Sequence, residues 1–481
     1  MARSVLKSYL WSFLEQGSTK IVSMIVQIVL ARLLDPEAFG VLAILLVVTH
    51  LADSIAQSGM GLALIQKNDA SGSSFSTGWW LSLGLASVMY VIIFLIAPFV
   101  SDFYSMPDLV VCLRVLGLVV FVNSANSIQR SYMQRTLDFR GLFRISLAAI
   151  IVSGIVGVCC AVAGFGLWSL IAQTLAQSLA TLFAMLLFVP WKPALVFKKD
   201  EAKELYSYGW KMCVTGLLGT LYSGISGLVL GRVCSVEELG YYSNGQKYPE
   251  SAIGIMTNAI SNVMFPAFAS LKDDLSALRS SMRKSLKMGS FLVIPFSILC
   301  AVVAKPTIAI LLGEKWLPCV PVFQMMCVGN ALLIMQMINL RCYMALGDSA
   351  RYMRINVVKV FIGGGLIWAT AAISHSIYAT AASNLAVSIL GIIFVDAHAA
   401  KKVHGYSALQ QVKDVLPVLL LALAASAAGL AVQLLGLGYA LEPLLQCVVF
   451  TIVYLGGAKL LGFKELSEAV SLAQGLVSKK G

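Results

Sequence analysis

The chain has 481 residues, of which 59% are hydrophobic and only 12% charged, and its mean hydropathy is +0.85. Soluble globular domains carry roughly twice that charge fraction, so a soluble enzyme is excluded and an all-α integral membrane protein is expected. The formal charge of +12, from 35 Lys and Arg against 23 Asp and Glu, must be read through membrane topology before any partner is invoked.

Apolar stretches long enough to cross a hydrocarbon core of about 30 Å run over 8–33, 38–65, 77–100, 110–134, 142–163 and 166–189. After a break they resume over 207–232, 238–266, 286–312, 318–345, 352–373 and 377–399. Two more, over 413–435 and 440–461, bring the expected total to about fourteen transmembrane helices. Met1 to Lys7 does not read as a signal peptide, because the apolar stretch behind it is too long, too polar and lacks a small-residue cleavage site. The longest loops, 190–206 and 267–285, read as a linker and a basic amphipathic segment at the cytoplasmic interface. No soluble domain fits between the spans, which argues against a membrane glycosyltransferase or polymerase, since these usually need a sizeable loop or domain for an active site.

The stretch from Ser8 to Gly40 returns about two hundred residues later, from Ser207 to Gly240. Tyr9 and Trp11 answer to Tyr208 and Trp210, and Arg32, Glu37 and Gly40 answer to Arg232, Glu237 and Gly240. The echo continues in Arg130 and Arg341, in Asp138 and Asp348, and in Arg144 and Arg354. A repeat of this length in an apolar chain points first to a transporter built from two duplicated lobes. The expected organisation is an N-lobe of six helices over 1–190, a cytoplasmic inter-lobe linker over 191–206, a C-lobe of six helices over 207–400, and a final helix pair with a cytoplasmic tail over 401–481. Six is an even number, so both copies enter the membrane from the same side and are parallel repeats. Most of the basic residues fall in loops on the side of the N-terminus, among them Lys192, Lys198, Lys199, Lys203, Lys272, Arg279, Arg283, Lys284 and Lys287. That places both termini in the cytoplasm and accounts for the positive charge without a nucleic-acid partner, for which no motif is present.

The ten cysteines are scattered through apolar segments without a C-x-x-C, and only Cys159 and Cys160 are adjacent. They read as small buried hydrophobes, not disulfides or ligands. With four histidines and no H-E-x-x-H spacing, no metal site, catalytic centre or cofactor is expected.

Polar residues inside spanning helices are costly and face a cavity or a partner helix. In the first span Ser12, Gln16, Lys20, Ser23 and Gln27 fall on one stripe at helical spacing. In the fourth, Asn123, Asn126 and Arg130 share a face; in the sixth, Gln173 and Gln177 do. In the eighth, Asn244, Lys247, Ser251 and Asn258 align, with Glu250 three residues from Lys247 and close enough to pair with it. Lys211 opens the seventh span, and Asn356 and Lys359 lie in the eleventh. One reading is a wet, net-positive cavity between lobes, in which Lys20, Lys211, Lys247, Arg130 and Arg341 meet an anionic substrate and the amides meet hydroxyls. The other is structural: amide stripes glue helices together, and Arg130, Arg341 and Lys359 snorkel to an interface. Glu15 points away from Lys20 and is expected to pair across helices. The spanning carboxylates are few, Glu15, Asp53 and Glu250, and no coupling ion follows from them.

Several blocks resemble a known family. "VLARLLDPEAFG" at the end of the first span, "QRTLDFR" from Gln134, "VMFPAFASLKDD" from Val263 and "LLGEKWLPCVPVFQ" from Leu311 resemble bacterial polysaccharide flippases of the Wzx type, within the multidrug/oligosaccharidyl-lipid/polysaccharide (MOP) exporter superfamily, and most of all its colanic-acid-exporter (WzxC-like) branch. The resemblance covers essentially the whole chain. It implies two six-helix lobes in a MATE-like V-shape plus a C-terminal helix pair, working by alternating access in the bacterial cytoplasmic membrane. It implies as substrate an oligosaccharide repeat unit on undecaprenyl pyrophosphate, moved between leaflets for cell-surface polysaccharide synthesis (lipopolysaccharide, capsule or exopolysaccharide). Coupling to a proton or sodium gradient, contact with membrane lipids, and association with polysaccharide polymerase and chain-length machinery go with that function. No enzymatic step does. The sibling reading is a cation-coupled multidrug exporter, whose pocket would want acidic and aromatic lining where this chain leans basic. A scaffold that transports nothing is a further alternative.

Overall fold

The computed structural model describes residues 2–67, 69–346, 349–392, 405–436, 438–468 and 471, and among these the chain is helical with no strand. The first helices are α1 (Ala2–Leu33), α2 (Pro36–Gln57), α3 (Met60–Gln66), α4 (Gly72–Tyr104), α5 (Leu109–Arg135), α6 (Phe139–Val162) and α7 (Leu167–Phe188). Then come α8 (Lys199–Val233), α9 (Val236–Ala269), α10 (Leu275–Val302), α11 (Ala304–Leu311), α12 (Val320–Ala331), α13 (Leu333–Ala345) and α14 (Ser349–Val358). A π-helical turn (Lys359–Gly363) joins α14 to α15 (Gly364–Ser374), and α16 (Ile377–Leu390), α17 (Ala408–Ala431) and α18 (Gly438–Leu460) follow.

Among the described residues, eleven helical stretches are long and apolar enough to cross a membrane. The protein is a multi-pass membrane protein. Helices α1 and α9, 32 and 34 residues long, also have the length to cross. Residues 393–404 and 472–481, with Asp348, lie outside the described residues, as do the side chains of Tyr9, Trp11 and Tyr208.

Helix ends follow local chemistry. Asp35 precedes α2 in an extended conformation and Pro36 takes the first helical position, where its missing N–H is no loss. Ser71 and Ser74 form a capping box at the start of α4, as Ser407 and Gln410 do for α17. Asp138 caps α6 by accepting from the Gly141 N–H at 2.9 Å. The segment read as basic and amphipathic over 267–285 is helical from Leu275 onward, as the start of α10. The reason is local: the Asp274 carboxylate accepts from the Ala277 and Ser276 N–H groups and nucleates the helix there. These backbone and side-chain bonds also hold the Asp274 carboxyl below the usual carboxylate range. Similarly, α8 begins at Lys199, inside the stretch read as linker, and residues 190–198 are tied to α4. Trp80 donates to the Ala194 carbonyl at 2.9 Å, the Ala194 N–H to Ser76 at 3.1 Å, and the Lys198 N–H to Thr77 at 3.2 Å.

Contacts divide the chain into two compact units, one of residues 1–243 with 371–377 and the other of residues 244–370 with 378–481. In the first, α6 packs on α1 and α7, α5 on α4 and α7, and α2 on α4, α5 and α8. Met60, Leu64, Phe75, Ile128 and Leu205 bury one of its cores. Here the two copies of the repeated motif meet: a Cβ at Gly40 would overlap the Val236 carbonyl, and a Cβ at Gly240 would overlap the Pro36 carbonyl. In the second unit, α10 packs against α12, α13 and α17, and α18 against α17 and α11.

That second unit is fastened by Asp414. Its carboxylate accepts from Arg283 Nε at 2.7 Å and Nη2 at 2.8 Å and from the buried Tyr406 hydroxyl at 2.7 Å, with Lys287 at 3.4 Å. Asp414→Ala removes an acceptor of the buried Tyr406 hydroxyl and the carboxylate shared by Arg283 and Lys287. The expected loss is about 2 kcal/mol, read as a lower midpoint in thermal unfolding of the purified protein. An unchanged midpoint would show that the cluster contributes nothing.

Candidate functional site

The first unit holds a cavity of about 540 Å³ walled by α2, α3, α5 and α7. Its origin is a break in the second span. Ser58 and Gly59 both adopt left-handed backbone conformations, with φ of 42° and 64°, and separate α2 from α3. Glycine accepts that geometry freely and serine at a cost. Gly209 of α8 lies against this turn, where a Cβ would run into the Ser58 carbonyl. The carbonyls at the end of α3 do not go unpaired: Arg135 donates to those of Leu64, Ile65 and Lys67.

One polar network lies across the cavity wall. Asn123 Nδ2 donates to Asp53 Oδ2 at 2.8 Å, and Ser178 Oγ donates to Asn123 Oδ1 at 2.8 Å. Asn126 Nδ2 donates to the Ser178 carbonyl at 3.0 Å. The network joins α2, α5 and α7, and further polar groups on the same wall are His50, Gln57, Thr174 and Gln177. Arg130 also lines the cavity, and its guanidinium reaches Glu15 of α1 at 2.9 Å. Glu15 is buried at 4% exposure, and its Oε1 accepts a second bond from Ser146 of α6 at 3.2 Å. The expected cross-helix partner of Glu15 is therefore Arg130. The cavity wall carries one acid, Asp53, and one guanidinium, Arg130. Such a wall offers carboxamides, hydroxyls and one guanidinium to a polar ligand, in a volume suited to a small-molecule site.

The candidates named from the sequence distribute as follows. Asn123, Asn126, Arg130 and Gln177 line this one cavity. Gln27 and Gln173 are buried and bonded to each other, Nε2 to Oε1 at 3.3 Å, joining α1 to α7. Lys20 lies half-buried on α1. The side chains of Gln16 and Lys211 lie outside the described residues. In the second unit Asn244 is buried, Lys247 is exposed, and Glu250 accepts from Gln246 at 2.7 Å. Arg341 donates through Nε to Ser261 at 2.6 Å. His50, Gln57, Thr174 and Ser178 are wall residues that sequence reasoning passed over. His50, Asp53 and Gln57 recur at three- and four-residue spacing, a helical face that was available as a signal.

A family model described as "Polysaccharide biosynthesis protein" matches residues 29–321. Lipopolysaccharide biosynthesis protein WzxC of Escherichia coli K12 is 28% identical over 310 residues, 63% of this chain and 62% of WzxC. The succinoglycan biosynthesis transport protein ExoT of Rhizobium meliloti is 23% identical over 332 residues, 69% of this chain and 67% of ExoT. Among solved structures, the lipid II flippase MurJ in an inward closed conformation aligns with 94% of this chain and 98% of its own, at a TM-score of 0.76 and 11% identity. At that identity the likeness is one of fold.

Proposed function

This chain belongs to the polysaccharide biosynthesis protein family, and we propose that it is a flippase carrying a lipid-linked oligosaccharide across the bacterial cytoplasmic membrane. The observation that carries the reading is the cavity of the first unit, a polar wall of Asn123, Asn126, Gln177 and Ser178 with Arg130, inside a helical body whose fold is that of MurJ. Carboxamides and hydroxyls pair with sugar hydroxyls in both donor and acceptor senses. Cations at membrane depth offset the cost of a pyrophosphate, and an arginine fork suits its oxygens. A polyprenyl tail needs no protein polar group and stays in lipid.

The working unit of this reading is two six-helix lobes, residues 1–190 and 207–400, joined by 191–206, which alternate in access. Both termini are cytoplasmic, following the excess of basic residues on that side. The movement is driven by an ion gradient, and no bond in the substrate is made or broken. Polymerase and chain-length proteins receive the translocated unit on the outer side.

The test is leaflet translocation in proteoliposomes, with a fluorescent undecaprenyl-pyrophosphate oligosaccharide and a membrane-impermeant quencher. Protein-dependent exposure of the label, absent for a simple drug cation, is the expected result; no exposure across a panel of glycans under proton and sodium gradients overturns the reading. In the same assay Lys20→Ala and Lys247→Ala are each expected to slow transport about tenfold with folded protein retained, as for a lost charge-assisted contact. Normal rates in both variants would remove lysines from the substrate path.

A further inference from the structure

Asp53 is poorly accommodated as an ion. It is nine-tenths buried in the cavity wall; Asn123 donates to Oδ2 at 2.8 Å, and Gln57, one helical turn on, is a further amide partner of the carboxylate. Oδ1 is buried and accepts no hydrogen bond, and on the same wall Asn126 Oδ1 is also buried and accepts none. Two buried acceptors without donors on one cavity wall are an unfavourable arrangement, most of all when one of them is charged.

The neighbouring charges do not resolve it. The titratable or charged groups lining the cavity with Asp53 are His50, on the same helix and exposed, and Arg130 of α5. Arg130 is engaged by Glu15 of α1. Helix α7 brings Thr174, Gln177, Ser178 and Thr181, none charged, and α3 brings no charge. Helices α4 and α8, also packed against α2, place no described charged side chain in the lining. A metal cation would want several oxygens around it; a proton needs only the free lone pair of Oδ1. Protonation there removes the desolvated charge and converts an acceptor without a donor into a donor.

We propose that Asp53 is a proton-binding site in the wall of this cavity, with Asn123 holding its Oδ2 and the proton carried on Oδ1. A hydroxyl or amide of a bound ligand donating to Oδ1 favours the ionised carboxylate instead. Proton and polyol therefore compete for the same lone pair, and each lowers the affinity for the other by the same factor. This linkage rests on the flippase reading of the cavity, whereas the proton site itself does not.

The experiment is infrared difference spectroscopy of the full-length protein in detergent, stepped from alkaline to acidic buffer in potassium salts with no substrate added. The wild type is expected to gain the carbonyl band of a buried neutral carboxyl, and Asp53→Asn to lack it. Asn123→Ala keeps the carboxyl but removes the bond to Oδ2, so its band should move to higher frequency; this variant stands in if Asp53→Asn does not fold. Absence of the band in the wild type, or its persistence unchanged in Asp53→Asn, overturns the proposal. So does its suppression at constant pH when sodium replaces potassium, which would make the site one for sodium. Any of these failures leaves the translocation assay free to support or sink the transport reading separately.

Discussion

Arg130→Ala is expected to reduce leaflet transport at least about a hundredfold and to lower stability as well. The two effects have one origin and can be separated. Glu15 is buried at 4% exposure, and its Oε1 is held by Arg130 at 2.9 Å and Ser146 at 3.2 Å. Removing the guanidinium leaves a buried carboxylate with one weak donor, a loss of about 3–5 kcal/mol in comparable pairs. The double variant Arg130→Ala with Glu15→Gln removes the stranded charge while keeping a side chain of similar shape. Its thermal midpoint should therefore return toward that of the wild type. Transport should not return with it, because the half-exposed side of Arg130 is a cavity surface and that cation is still missing. Recovery of both stability and transport in the double variant would reduce Arg130 to a structural partner of Glu15. Arg130→Lys sharpens the distinction: it keeps charge but not the planar fork, and partial transport is the expected result.

Gly40→Ala and Gly240→Ala should each leave little folded protein, with a loss of about 3 kcal/mol or more from overpacking. At both positions the added Cβ meets a carbonyl oxygen of the other copy of the motif, Val236 for Gly40 and Pro36 for Gly240. Backbone cannot swing aside as a side-chain tip can, so the helices themselves must move apart. The control is Gly84, inside α4, where nothing lies within 4 Å of an added Cβ. Gly84→Ala should be neutral or stabilising by about 0.5–1 kcal/mol, since alanine is the better helix former. Fluorescence-detected size-exclusion yield reads all three. Wild-type yield from Gly40→Ala and Gly240→Ala would mean that the crossing of the two motif copies is looser than its geometry.

The repeated motif shows how much a sequence alone can convey. That Gly40 and Gly240 are counterparts is visible in the spacing of Arg32, Glu37 and Gly40 against Arg232, Glu237 and Gly240. That each glycine faces the backbone of the other copy is not, because a repeat records common ancestry and not which surfaces touch. The face of α5 is a similar case. Period 3.6 places Asn123, Asn126 and Arg130 together, and in the structure all three line one cavity. The same reasoning aligned Gln27 with Lys20, yet Gln27 is bonded to Gln173 of α7 and serves to join helices. Periodicity assigns a direction to a side chain; the neighbour standing in that direction decides whether it glues or lines.

By itself the sequence determined what depends on local chemistry and on solvent. Its low charge and long apolar runs require lipid around the helices, where each helix satisfies its own backbone groups internally. Its caps, Ser71, Asp138 and Asp274, set where helices start. Only the tertiary structure decided the pairings across long separations: Glu15 with Arg130, Asp53 with Asn123, Arg283 with Asp414. It also decided the break at Ser58 and Gly59 that opens the cavity, a turn packed against Gly209 some one hundred and fifty residues on. The physical reason is common to all of these. The cost of a buried polar group is paid off or left standing by whichever atoms the fold brings within about 3 Å, and one-dimensional spacing carries no record of that distance.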